Sequence, residues 1–165
     1  MSIEKSILIA IWTVCVPALL TGVPKRRYRE AVLVFVTSQT LTWSISLLFV
    51  EWKWIQNPVR EFQKATAVNF TFNFILFPTV TVFYSLFYPK TRSRPFRIGY
   101  TVLYIGCLMA FLTVMHRYTE LARVVPLYRY AGTGLVFLGV LQAVHRYKNW
   151  FFSAEPAFRD GRRSG

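Results

Sequence analysis

Apolar runs follow one another along the chain, and the short segments between them hold nearly all of its charge. Five runs stand out, at 6–23, 31–50, 67–88, 98–115 and 130–146, and four of the five reach the roughly 18 residues that a helix needs to cross a bilayer. The pattern predicts an all-α, polytopic integral membrane helix bundle: one domain of five transmembrane helices over residues 1–150, then a short basic cytoplasmic tail over 151–165. The gaps are short, so neighbouring helices must run antiparallel. The fifth run is bracketed by Arg129 and Arg146, and it spans only if both side chains reach back to the membrane surface.

The third run carries the most internal detail. Asn57 followed by Pro58 reads as a helix cap and first helical residue. That start predicts a helix from Pro58 to Tyr88, about 46 Å long at 1.5 Å per residue, against a hydrocarbon core of about 30 Å. Pro78 is the candidate kink inside it.

Charge sets the orientation. Lys25, Arg26, Arg27 and Arg29 fill the first gap, and Lys90, Arg92, Arg94 and Arg97 fill the third. Together with the tail they place thirteen basic residues on one side against seven on the other. The positive-inside rule then puts the N-terminus outside and the C-terminus inside. The two clusters become contacts for anionic headgroups at the cytoplasmic face. Lys5 alone supplies basic charge ahead of the first run, and no small-x-small cleavage site follows it, so this run reads as a retained helix and not a signal peptide.

Composition excludes a soluble globule, since 54% hydrophobic residues against 16% charged would leave a large apolar excess facing water. A net charge of +13 would suggest nucleic acid in a soluble chain. Here the basic residues flank apolar runs, and no nucleic-acid partner is expected. Cys15 and Cys107 lie inside runs as packing residues, and His116 and His145 sit at the ends of theirs. No disulfide or metal-ligand spacing is present, so neither a metal nor a cofactor is expected.

No Asp, Glu, Lys or Arg falls well inside the first four runs, which argues against an ion-coupled transporter. The polar groups there are amides and hydroxyls. Thr66, Asn69 and Asn73 fall at i, i+3 and i+7 of the third helix, and Gln39, Thr42 and Ser46 repeat that spacing on the second. Aligning the antiparallel helices by depth sets Asn73 level with Ser46. The two stripes are expected to face each other, as packing glue or as the walls of a common polar cleft. Small residues at Gly99, Gly106 and Ala110, and at Gly132, Gly134 and Gly139, predict close helix approach within the monomer or between copies.

No motif for nucleophilic, metal-assisted or acid–base chemistry occurs, and the chain is not expected to be an enzyme. The leading expectation is an accessory or assembly-forming membrane subunit whose partners are the bilayer, other membrane proteins or itself. One alternative is a channel or carrier for a neutral polar solute, lined by Gln39, Asn69 and Asn73. Another is a lipid-modifying enzyme whose basic clusters hold a phosphate headgroup.

The third run closes on Phe87-Tyr88-Pro89-Lys90 and the fifth on His145-Arg146-Tyr147-Lys148. With the five-run plan, these resemble an uncharacterised family of small multi-helix membrane proteins from endospore-forming bacilli. The resemblance covers nearly the whole chain. It implies a bacterial cytoplasmic-membrane setting that could be spore-related, and it carries no activity or site residues.

Overall fold

The computed structural model describes residues 3–56, 68–119, 123–124 and 127–160. Its helices are α1 (Ile3–Gly22), α2 (Tyr28–Glu51, entered through a 3-10 turn at Lys25–Arg27), α3 (Phe77–Leu86, entered through a π-helical turn at Phe72–Leu76), α4 (Arg94–Tyr118) and α5 (Leu127–Asp160). The fold is helical throughout apart from one short pairing among the described residues. There β1 (Ile55–Gln56) meets β2 (Arg123–Val124) antiparallel, with Ile55 opposite Val124 and Gln56 opposite Arg123. Three helices, Ile3–Gly22, Lys25–Glu51 and Arg94–Tyr118, are long and apolar enough to cross a membrane.

The connections sort to two ends of the bundle. β1 and β2 join the second and fourth gaps at one, the strand end. At the other, the basic end, Arg27 donates to the Leu86 carbonyl and Lys90 donates to Asn149 Oδ1 at 2.7 Å. The first gap, the third gap and the continuation of α5 therefore meet there.

α3 is the axis of the packing. Phe77, Pro78, Thr79, Thr81, Val82, Tyr84, Ser85 and Leu86 are all buried. By contrast α1 buries one stripe, Leu8, Ile11 and Cys15, and α4 buries Thr101, Leu108, Leu112 and Met115. An apolar helix that buries a single stripe presents its remaining apolar surface outward, where lipid replaces protein as the neighbour.

The third helix departs from expectation at its start. Val68 and Asn69 are not helical, and helix begins at Phe70; Asn57, Pro58 and Thr66 lie outside the described residues. The Asn69 side-chain oxygen accepts the Phe72 N–H at 3.1 Å, which is an N-cap closing the first turn. From Phe70 to Leu86 the helix is about 26 Å long, shorter than the roughly 30 Å core that the longer reading overshot.

Pro78 also acts differently from a simple kink. It follows directly on the π-helical turn at Phe72–Leu76. A proline ring collides with the carbonyl four residues back, and a widened turn relieves that contact. The change leaves a carbonyl without its helical donor, and the Thr42 hydroxyl lies 3.3 Å from the Asn73 oxygen to supply one.

α2 ends in a Schellman motif. Lys53 takes the left-handed conformation, φ 55°, while Trp54 N–H donates to Phe49 O at 2.7 Å and Lys53 N–H to Val50 O at 2.9 Å. The reversal folds the Trp54 indole onto Phe49, ring centroids 5.1 Å apart. It also lays the indole over Gly132 of α5, where an added Cβ would lie 2.9 Å from the ring. Gly134 packs more loosely, with Met109 and Ile105 as the nearest neighbours of an added Cβ, while Gly99, Gly106 and Gly139 face open space. Within the monomer, the close approach predicted for these glycines is thus confined to the start of α5.

Candidate functional site

The two ends of α3 both lie inside the bundle, and a polar cluster forms around each. At the strand end the cluster grows from the cap. Asn73 sits one turn after Asn69, and its Nδ2 donates to the Asn69 carbonyl at 2.9 Å. Ser46 of α2 donates to Asn73 Oδ1 at 2.6 Å, the depth pairing that the antiparallel alignment predicts. Trp12 Nε1 donates to Thr71 Oγ1 at 2.8 Å and ties the entry turn to the middle of α1. Thr42, Ser46, Asn69, Asn73 and Thr133 form the polar wall of a cavity of about 50 Å³. Phe72, Phe77, Leu112 and Phe137 stand on its apolar side. Asn69 is 1% exposed, and its Nδ2 has no hydrogen-bond partner.

Gln39, expected in this stripe, is not part of the cavity wall. The buried face of α2 runs Ala31, Val34, Ser38, Thr42 and Phe49, and Gln39 lies about 100° round from Ser38. Its contribution is its carbonyl, 3.2 Å from the Thr42 hydroxyl. Ser38 takes the interior position, donating to Thr81 of α3 at 3.0 Å.

At the basic end the carbonyls of the last α3 turn are met by cations. Lys148 of α5, 2% exposed, donates to Ser85 O at 2.9 Å and lies 3.5 Å from the Glu30 carboxylate. Arg27 donates to Leu86 O and, at 3.0 Å, to Glu30. Positive charge at a helix C-terminus complements both the unpaired carbonyls and the macrodipole. Burial holds the Lys148 ammonium below the ordinary lysine range, with the Glu30 charge opposing that shift. Arg27, expected among the headgroup contacts, is therefore turned inward. Lys25, Arg26, Arg29, Arg92 and Arg94 are exposed, Arg92 over the Phe96 ring at 5.7 Å, and Lys90 is exposed while bonded to Asn149. Arg97 is half-buried, and its Nε lacks a partner.

One layer deeper sits Tyr84, fully buried. Its ring meets Tyr88, Tyr100, Tyr104 and His145. Its hydroxyl accepts from Gln142 Nε2 at 2.9 Å and pairs with Thr101 Oγ1 at 3.0 Å. His145, at the end of its apolar run, is buried and bonded to Ser85 Oγ at 3.1 Å. A Ser–His contact suggests a nucleophile and its base. Ser85 is 1% exposed and does not line the cavity at the other end of α3.

Between the two clusters lies an apolar layer. Val34, Val82 and Val144 are each 1% exposed or less. The Ser38–Thr81 pair beside them ends on a backbone acceptor, Thr81 donating to Phe77 O at 2.8 Å. Among the described residues no group of three or more His, Cys, Asp or Glu could hold a metal ion. Cys15 is buried and Cys107 exposed, both as free thiols.

Comparison of the chain with protein-family models, curated proteins and solved structures returns no match. The site's meaning therefore rests on its own geometry. That geometry is a short helix capped by an amide at one end and by cations at the other, with a cavity at the amide end and an apolar layer between.

Proposed function

We propose that this chain is a five-span membrane subunit without catalytic activity, N-terminus outside and C-terminus inside a bacterial cytoplasmic membrane, which assembles with a second copy of itself through the outward face of α4. The observation that carries the reading is a seam on that helix. Gly99, Leu103, Gly106, Ala110 and Thr113 follow 4-3-4-3 spacing, and every one of them is exposed. A Cβ added at Gly99 or Gly106 would meet nothing. Seams of small residues let two helix backbones approach closely in lipid, where packing and not water exclusion drives association.

The interior supports a structural part more than a transporting one. Asn69, Arg27 and Lys148 serve as caps of the third helix, and an apolar layer at Val34, Val82 and Val144 lies between its two ends. The cavity at the strand end is the one observation on the side of a carrier. A carrier would have to open that layer, whereas a binding pocket would not.

The assembly is tested by disulfide crosslinking in membranes, in a background with Cys15 and Cys107 replaced by Ala. Ala110→Cys is expected to give a band at twice the monomer mass, and Val14→Cys, exposed on α1, to stay monomeric. Ala110→Cys staying monomeric, or both positions crosslinking alike, sinks the α4 seam. Orientation is read in the same background with an impermeant maleimide on intact cells. Single cysteines at Gln56 and at Tyr118, which is exposed, are expected to label and one at Ser93 to stay silent; the reverse pattern would invert the topology.

A further inference from the structure

We infer that the strand-end cavity is a binding site for a small neutral molecule that presents a carbonyl beside a hydrogen-bond donor, with a short apolar tail. The inference starts from the orientation of one amide. The Phe72 N–H can only donate, so the Asn69 atom that meets it is the oxygen, and the remaining atom must be the NH2. That NH2 is the buried group without a partner, on a residue that is 1% exposed and lines the cavity. Such a donor buried without an acceptor costs free energy that a bound acceptor returns.

The other walls narrow the chemistry. The NH2 and the start of α3 repel a cation. Every residue lining the cavity is uncharged, so an anion would enter without a counter-charge. A neutral carbonyl oxygen fits the NH2. Ser46 spends its proton on Asn73 and keeps lone pairs with which to accept from the ligand's donor. Phe77 and Phe137 face these groups with apolar surface for a tail. A cavity of about 50 Å³ takes about two waters, or the polar head of one molecule of about four or five non-hydrogen atoms. A short-chain primary amide meets each requirement. The layer below the cavity is apolar, so the site offers its ligand no polar path onward.

The test uses the full chain in lipid nanodiscs and ligand-observed saturation-transfer NMR with propionamide, with propionate as the charged isostere. Saturation transfer to the propionamide methyl group is expected in the natural protein. The signal should drop about fivefold in Asn69→Ser, the loss that one missing hydrogen bond produces. Serine keeps a capping oxygen for Phe72 N–H, so an unchanged melting temperature verifies that the fold persists. If that variant melts early, Ser46→Ala, which leaves the cap intact, is expected to show the same drop. Propionate is expected to give little transfer. Undiminished transfer in a folded variant, or none in the natural protein up to about 100 mM, reduces the cavity to a water-filled packing gap. Propionate outcompeting propionamide overturns the neutral class. Neither outcome bears on crosslinking at Ala110, so this site and the α4 assembly stand or fall separately.

Discussion

Tyr84→Ala is expected to destabilise the bundle by about 3 kcal/mol, measured as the shift of the unfolding midpoint in mixed detergent micelles. The side chain is fully buried and touches rings from α4, from α5 and from Tyr88 just past the end of its own helix. Its removal leaves a void that three helices would have to close together. The figure sits at the low end for aromatic truncation because lipid is nearly as apolar as the interior, so lost contacts, not water exclusion, set the cost. Tyr84→Phe separates the ring from the hydroxyl. It leaves Gln142 and Thr101 without the oxygen they meet at 2.9 and 3.0 Å, a loss of about 1 kcal/mol. Equal costs for the two variants would mean that the tyrosine cluster is not a packing centre.

The elements were legible because charge and hydropathy act residue by residue. Gaps rich in Lys and Arg mark where helices stop, and the α1, α2 and α4 boundaries follow from them. The Ser46–Asn73 pair was legible too, since an antiparallel neighbour fixes depth once both helices are assigned. Asn69 was not. A polar residue inside an apolar run reads as one face of a helix, and only the backbone break at Val68 and Asn69 turns it into a cap. No Gly or Pro flags that break. Gln39 shows the sensitivity of a periodic reading: moving one residue along a helix rotates the side chain by about 100°, and Ser38 took the interior position.

The inward turn of Arg27 and Lys148 has the same origin as the misjudged helix. Had the third helix run from Pro58, both its ends could have lain at the membrane surfaces, with their unpaired groups in water. With about 26 Å from Phe70 to Leu86, both ends are drawn into protein. The N-terminal donors then need an acceptor and the C-terminal carbonyls need donors. Asn69 supplies the first, Arg27 and Lys148 the second, each with the sign that the helix dipole favours. Basic residues near a span end serve topology by default, and one short helix recruits two of them for structure.

Lys148→Met should therefore behave as a core substitution and not as a change at a membrane surface, costing about 2 kcal/mol in the same unfolding assay. Methionine matches the length of the stem, so packing changes little, while the Ser85 carbonyl loses its donor and Glu30 keeps Arg27. Arg146, two residues earlier and exposed, is the comparison: Arg146→Met should cost about 0.5 kcal/mol or less. Glu30→Gln tests the pairing. If the 3.5 Å contact between Lys148 and Glu30 is part of the stabilisation, the double variant must cost less than its two single changes combined, by about 0.5 kcal/mol or more. Strict additivity would assign the whole Lys148 effect to the Ser85 carbonyl and leave Glu30 as the partner of Arg27 alone. A Lys148→Met cost no larger than that of Arg146→Met would place the ammonium at the membrane surface and take away the cationic cap at the end of α3.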